Sequence, residues 1–162
     1  MRFRSRSSAE TRDAARRLGT AIEAVAETRA IGFVIGLSGP LGAGKTEWVR
    51  GLAEGLGVDT RLVTSPTFVI ASEYPGARPL AHVDFYRLAS EAELEATGFV
   101  DLLDPGRVVA IEWSDRFPGA LPVDRIEVRI ARDAEEPESA REVAIAALGP
   151  IADRVLRQFA RE

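Results

Sequence analysis

Residues 39–46, Gly39-Pro40-Leu41-Gly42-Ala43-Gly44-Lys45-Thr46, complete the pattern GxxxxGK[ST]. Each residue type suits a polyphosphate. Glycines let successive backbone N–H groups turn inward without a Cβ clash, and a following helix adds its positive end. A lysine reaches the β- and γ-phosphates as a compact charge, and the threonine hydroxyl takes a place on Mg²⁺. Of 21 basic residues Lys45 is the only lysine, and asparagine is absent. Both types have AT-rich codons, so the composition reads as GC-rich coding pressure resisted at this one position. A broad guanidinium fork does not replace a narrow ammonium in a tight loop. Leu41, Gly42, Ala43, Gly44, Lys45, Thr46 and Glu47 are therefore the expected nucleotide-binding residues.

Such a loop needs a metal partner and a group that orients the attacking nucleophile. Glu112 ends the apolar run VVAI, as a metal-side acid does at the carboxyl end of a strand. It is assigned to Mg²⁺ together with Thr46. Asp84, in HVDFYR, is assigned to polarising the attacking water or acceptor. The plainer readings are a strand-end surface acid for Glu112 and a turn or capping carboxylate for Asp84. His82 is the only histidine; its two-residue spacing puts it on the same strand face as Asp84, which it could orient. Thr64-Ser65-Pro66-Thr67 gathers three hydroxyls around a proline. It either contacts Mg²⁺, water or γ-phosphate as a switch loop or caps the next strand. Thr67 joins Lys45 and Asp84 as a catalytic candidate.

The elements that must position these residues follow from periodicity. Residues 7–27 read as an amphipathic helix, with Ser7 and Glu10 at capping-box spacing and Ala15, Leu18, Ile22 and Val25 as its apolar stripe. Arg12, Arg16, Glu23 and Glu27 form its solvated face. Residues 33–37, FVIGL, suit a strand buried on both faces, and 45–56 a second helix ended by Gly57. The glycine motif thus lies between a strand and a helix, the context that gives it meaning. Strands at 67–74 and 79–86 flank a Pro75-Gly76 turn and predict an antiparallel hairpin. A short helix at 90–97 is capped by Ser90. Strands follow at 107–113, 124–131 and 141–148, the later ones antiparallel, and a helix at 150–161. Residues 1–162 read as one α/β domain.

Composition narrows the class. With no cysteine, disulfides and thiolate chemistry are excluded, in keeping with a reducing compartment. The basic N-terminus MRFRSRSS leads into a polar helix, and no apolar run approaches bilayer length. The expectation is a cytoplasmic protein without membrane association. Net charge is −4 and the pI near 5.2, so tight direct binding to nucleic acid is disfavoured.

GPLGAGKT, VTSPTF, EY, HVDFYRL, EL, G and IEW, in that order from about residue 8 to residue 145, resemble the bacterial TsaE (YjeE) family. The resemblance implies a P-loop NTPase-like three-layer fold with a mixed sheet and antiparallel strands at one edge. It implies a slow ATPase that uses ATP and Mg²⁺. It also implies action with TsaD- and TsaB-type proteins in threonylcarbamoylation of tRNA adenosine 37, with tRNA met only through that complex. Position by position, Lys45 and Thr46 hold nucleotide and metal, Thr64, Ser65, Thr67 and Asp84 lie in switch-like segments, and Glu112 is the metal-side acid. Trp113 shares the IEW motif and reads as a packing aromatic. Glu47 departs from the family, which has a second threonine there; it brings negative charge to the α-phosphate side. The competing readings are a small-molecule P-loop kinase and a nucleotide-dependent binding module.

Overall fold

The computed structural model describes residues 1–64 and 71–161. The seven strands are β1 (Arg2–Ser5), β2 (Phe33–Ser38), β3 (Ala71–Tyr74), β4 (Leu80–Asp84), β5 (Val108–Glu112), β6 (Arg125–Arg132) and β7 (Arg141–Leu148). They form one sheet in the order β1-β7-β6-β2-β5-β4-β3. The helices are α1 (Ser8–Ala24), α2 (Lys45–Gly55), α3 (Glu91–Ala96) and α4 (Pro150–Phe159). This is the expected α/β architecture.

The central four strands run parallel: β2 pairs with both β6 and β5, and β5 with β4. Antiparallel strands finish both edges, β3 against β4 on one side and β7 with β1 on the other. The later strands were expected to be antiparallel. That holds between β6 and β7, but β6 enters the sheet parallel to β2. The hairpin across Pro75-Gly76 forms between Ala71–Tyr74 and Leu80–Asp84; the expected strand residues 67–70 lie outside the described residues, and β4 ends at Asp84, two residues early.

β1 has no counterpart among the predicted strands. Its four residues, RFRS, are too short and too charged to stand out, and they form an edge strand because β7 offers a free ladder. Met1 and the Arg4–Asp133 ion pair at 2.8 Å fasten it: the terminal amine donates to the Ile145 carbonyl at 2.7 Å.

Two apolar layers cover the sheet. On one face α1, α2 and α4 bury Leu18, Ile22, Trp48, Leu52, Val155 and Phe159 against Ile35, Leu37, Ile126 and Val128. On the other, Phe85, Leu94, Phe99 and Phe117 cover Val34, Val83, Val109 and Ile111. The second layer lies over β2, β4 and β5, whose carboxyl ends carry the chemistry.

α1 starts as predicted, Ser7 Oγ accepting from Glu10 N at 3.1 Å; Glu10 reaches Arg6 N rather than the cap itself. It stops at Ala24, where Val25 turns extended. Its closeness to α2 depends on three glycines. A Cβ at Gly51 would lie 2.1 Å from the Arg12 carbonyl oxygen, and one at Gly55 would lie 2.1 Å from that of Arg16. At Gly19 it would lie 2.7 Å from the Leu52 carbonyl. Backbone therefore meets backbone along this seam. The solvated face read from the sequence does not hold at Glu23. Glu23 is drawn against the fully buried Arg78, whose guanidinium also donates to the Thr28 hydroxyl at 2.7 Å and carbonyl at 2.6 Å. Burial holds the Arg78 guanidinium below its ordinary value, against the opposing pull of Glu23.

Candidate functional site at the carboxyl ends of the parallel strands

The loop 39–44 leaves β2 and turns directly into α2. Gly39 touches β6 so closely that a Cβ would fall 2.0 Å from the Ile130 carbonyl oxygen. Gly44, the residue before α2, has φ 106°, a left-handed conformation that glycine adopts without cost. No side chain caps the first turn of α2, and a Cβ at Gly44 would meet nothing within 4 Å. The loop presents backbone and open space at the positive end of a helix, which is what an anionic group requires.

Lys45 points back across this loop. It is 4 % exposed, and its ammonium donates to the carbonyls of Gly39 at 2.8 Å and Pro40 at 3.0 Å. Burial holds its pKa below the ordinary lysine value, against the pull of Glu112, Asp84 and Asp115. The Trp113 ring lies beneath the same ammonium, 4.0 Å from Nζ to the ring centroid. Trp113 is the one non-glycine residue with positive φ among the described residues, at 58°. Such a backbone costs on the order of 1–3 kcal/mol for a bulky residue. A desolvated cation over an indole, worth about 2 kcal/mol, is of the size needed to offset it. The turn after Trp113 nests against β2 because position 36 is glycine: a Cβ there would lie 2.8 Å from Ser114 Oγ. Trp113 is thus more than the packing aromatic the sequence suggested.

Parallel pairing sets the two carboxylates side by side, Asp84 opposite Glu112 at the ends of β4 and β5. Both are buried. Thr46 Oγ1 donates to Glu112 Oε1 at 2.8 Å, and His82 Nε2 lies 2.9 Å from the same oxygen. Burial, the largest single influence, pushes Glu112 up; His82, Thr46 and Lys45 together outweigh it and leave the carboxyl below its ordinary value. Asp84 instead accepts from Tyr86 N at 2.8 Å, which bends the chain out of β4. The expected His82–Asp84 partnership is therefore replaced by His82–Glu112. In register His82 faces Ala110, and Glu112 is its diagonal neighbour on the same face of the next strand, within reach of a long side chain, whereas the short Asp84 carboxylate is tied to Tyr86 N.

The structure thus brings Leu41, Gly42, Gly44, Lys45, Thr46, Asp84 and Glu112 around one cavity of about 260 Å³, together with Tyr86 and Trp113. Ala43 and Glu47 face a second cavity of about 290 Å³, reached past Gly44. Thr64 stands beside the Tyr74 hydroxyl at 3.4 Å, away from that first cavity's lining. Ser65 and Thr67 lie outside the described residues. Sequence reasoning missed Arg141, whose Nε donates to the Ala43 carbonyl at 3.0 Å and steadies the loop from β7. It lies 98 positions from Ala43, and an arginine opening a strand gives no local signal. Tyr86 was also missed; its ring lies 5.1 Å from Trp113 at a tilt of 41°.

Among the described residues no helix is long and apolar enough to cross a membrane. None of the His, Asp and Glu side chains there gather as a group of three or more that could hold a metal ion. The cluster has instead one hydroxyl and one carboxylate in contact beside a buried ammonium and an open helix end.

The family model described as threonylcarbamoyl adenosine biosynthesis protein TsaE matches residues 5–143. Among similar sequences, the tRNA threonylcarbamoyladenosine biosynthesis protein TsaE of Bacillus subtilis is 38% identical over 131 residues, 80% of this chain and 79% of its own. The protein of the same name from Treponema pallidum is 37% identical over 148 residues, 90% of this chain and 100% of its own. Among solved structures, the crystal structure of Bacillus subtilis YdiB superimposes with a TM-score of 0.74 at 30% identity, covering 99% of this chain and 94% of that one. A strand-to-helix glycine loop on a mixed sheet, matched in sequence almost end to end, leaves one assignment: the chain belongs to the TsaE family of tRNA threonylcarbamoyladenosine biosynthesis.

Proposed function

We propose that this protein is a Mg-ATP-binding ATPase subunit that acts with TsaD- and TsaB-type proteins in threonylcarbamoylation of tRNA adenosine 37. The observation that carries the reading is the meeting of Lys45, Thr46 and Glu112 at one end of the parallel sheet. Lys45 is a buried cation whose partners are mostly loop carbonyls, and an anion replacing them would relieve its desolvation. The triphosphate would lie along Gly42, Gly44 and the first turn of α2, with the nucleoside directed into the cavity beyond Gly44.

The Thr46 hydroxyl and Glu112 carboxylate suit Mg²⁺, which keeps most of its shell as water and phosphate oxygen and takes only one or two protein groups. Bound there, the ion would neutralise charge on the transferring phosphoryl group. His82 holds the Glu112 carboxylate in place through Oε1. Asp84, opposite Glu112, is the acceptor for a proton of the attacking water. Its own tie to Tyr86 N links that carboxylate to the segment carrying the Tyr86 ring over Trp113. The −4 net charge accords with meeting tRNA through partners rather than directly.

The test is ATP turnover of the protein alone and with the TsaD- and TsaB-type proteins of the same organism. Slow hydrolysis alone and stimulation by both partners are expected. Phosphoryl transfer to a metabolite would favour a kinase instead, and unstimulated binding without turnover would favour a nucleotide-dependent binding module.

A further inference from the structure

The first turn of α2 holds a carboxylate, Glu47, where the reading above seats phosphate. It lines the cavity beyond Gly44, so an ionised Glu47 faces the ligand's side of the helix. Left alone, it would oppose both the helix dipole's attraction for an anion and the charge of Lys45. It is not left alone. Arg50 Nη1 donates to Glu47 Oε2 at 2.9 Å, and Arg12 Nη1 lies 3.8 Å from Oε1. Neither arginine lines that cavity.

We infer that Arg12 and Arg50 are positioning residues for nucleotide binding: from behind, they cancel the charge of Glu47 and turn its carboxylate toward the α1–α2 seam. The inference rests on the nucleotide reading of the site. Each arginine is itself placed by the fold. Arg12 stands beside α2 because its own carbonyl abuts Gly51, where no side chain intervenes; it also binds Glu54 at 3.2 Å. Arg50 Nε donates to the Val63 carbonyl at 3.2 Å, which fixes its fork over Glu47. The four side chains Glu47, Glu54, Arg12 and Arg50 form a neutral group. Without the two arginines it would carry two negative charges, that of Glu47 in the first turn of α2 beside the phosphate site and that of Glu54 at the helix's far end.

The experiment measures Mg-ATP affinity of the full chain by calorimetry at low and high salt, with melting temperatures of the ligand-free proteins as a fold control. Arg12→Gln and Arg50→Gln together are expected to weaken binding by about tenfold at low salt and by less at high salt, since the groups are half exposed. Glu47→Gln alone is expected to tighten binding by about threefold. Adding Glu47→Gln to the arginine pair is expected to recover at least half of the logarithmic loss. The inference is overturned if wild-type protein binds Mg-ATP and the arginine pair binds it equally well. It is overturned equally if the triple variant remains as weak as the pair, which would mean that the arginines act through the fold and not through Glu47. Wild-type protein that binds no nucleotide would instead overturn the site reading, and this inference with it.

Discussion

The seam between α1 and α2 and the cluster at the ends of β2, β4 and β5 share the helix that opens at Lys45 and are built on opposite principles. The seam has almost no side chain between its backbones at Gly19, Gly51 and Gly55, and gains its stability from close apolar contact around Leu18, Trp48 and Leu52. The cluster buries four ionisable groups, Lys45, His82, Asp84 and Glu112, each expensive to desolvate. The difference teaches where rigidity is needed. A buried ammonium and carboxylate keep their charges only if their partners cannot drift, and the glycine seam fixes the helix that carries both Lys45 and Thr46.

The largest expected effect breaks the seam. Gly55→Val places a branched side chain where 2.1 Å separates Cβ from a carbonyl oxygen; a stability loss of about 3 kcal/mol or more by denaturant titration is expected. Equal stability would mean that α1 can move away freely and that the seam is not rigid. Next, Lys45→Ala is expected to reduce Mg-ATP affinity at least about 100-fold by calorimetry, or roughly 2.7 kcal/mol, while leaving the fold intact. Unchanged affinity would remove the cluster's phosphate role altogether.

Asp84→Ala sharpens the comparison within the cluster. It is expected to spare Mg-ATP affinity and to lower partner-stimulated turnover by about 10- to 100-fold. If instead affinity and metal dependence fall while Glu112→Ala spares them, the roles of the two carboxylates are exchanged. The smallest effect is in stability against pH. The folded-state pKa of Glu112 lies below its ordinary value, so its contribution is present above the unfolded value, about 4.3, and is lost as pH falls through the folded one. The melting temperature of the ligand-free protein is expected to exceed that of Glu112→Gln by a few degrees at pH 7, with the gap closing as pH falls below about 4. A gap that stays constant to pH 3 would show that the carboxylate is not held ionised by its neighbours.

Lys45, Thr46 and Glu112 were legible because each ends or begins an element whose apolar run announces it: FVIGL before the loop, WVRGL within the helix and VVAI before the acid. Asp84 was legible as a carboxylate near a strand end, but not its neighbours. His82 was paired with the wrong acid because spacing along one strand was visible and register across two was not. The short strand β1 was missed because four residues with two arginines carry little periodicity; the free edge of β7 makes them a strand.

What the sequence determined by itself is the set of local devices: a glycine loop between a buried strand and an amphipathic helix, a capping serine before α1, a hairpin at Pro75-Gly76, and acids at strand ends. These depend on residues within a turn or two of one another, where backbone sterics and side-chain periodicity act directly. Only the tertiary structure decided that Thr46 and Glu112 touch, that Trp113 lies under Lys45, that Arg12 reaches Glu47 and that Arg78 is buried against Thr28. Strand register and helix approach set those contacts. Both are fixed by the packing of the whole sheet and by glycines whose missing side chains matter only once a second backbone arrives.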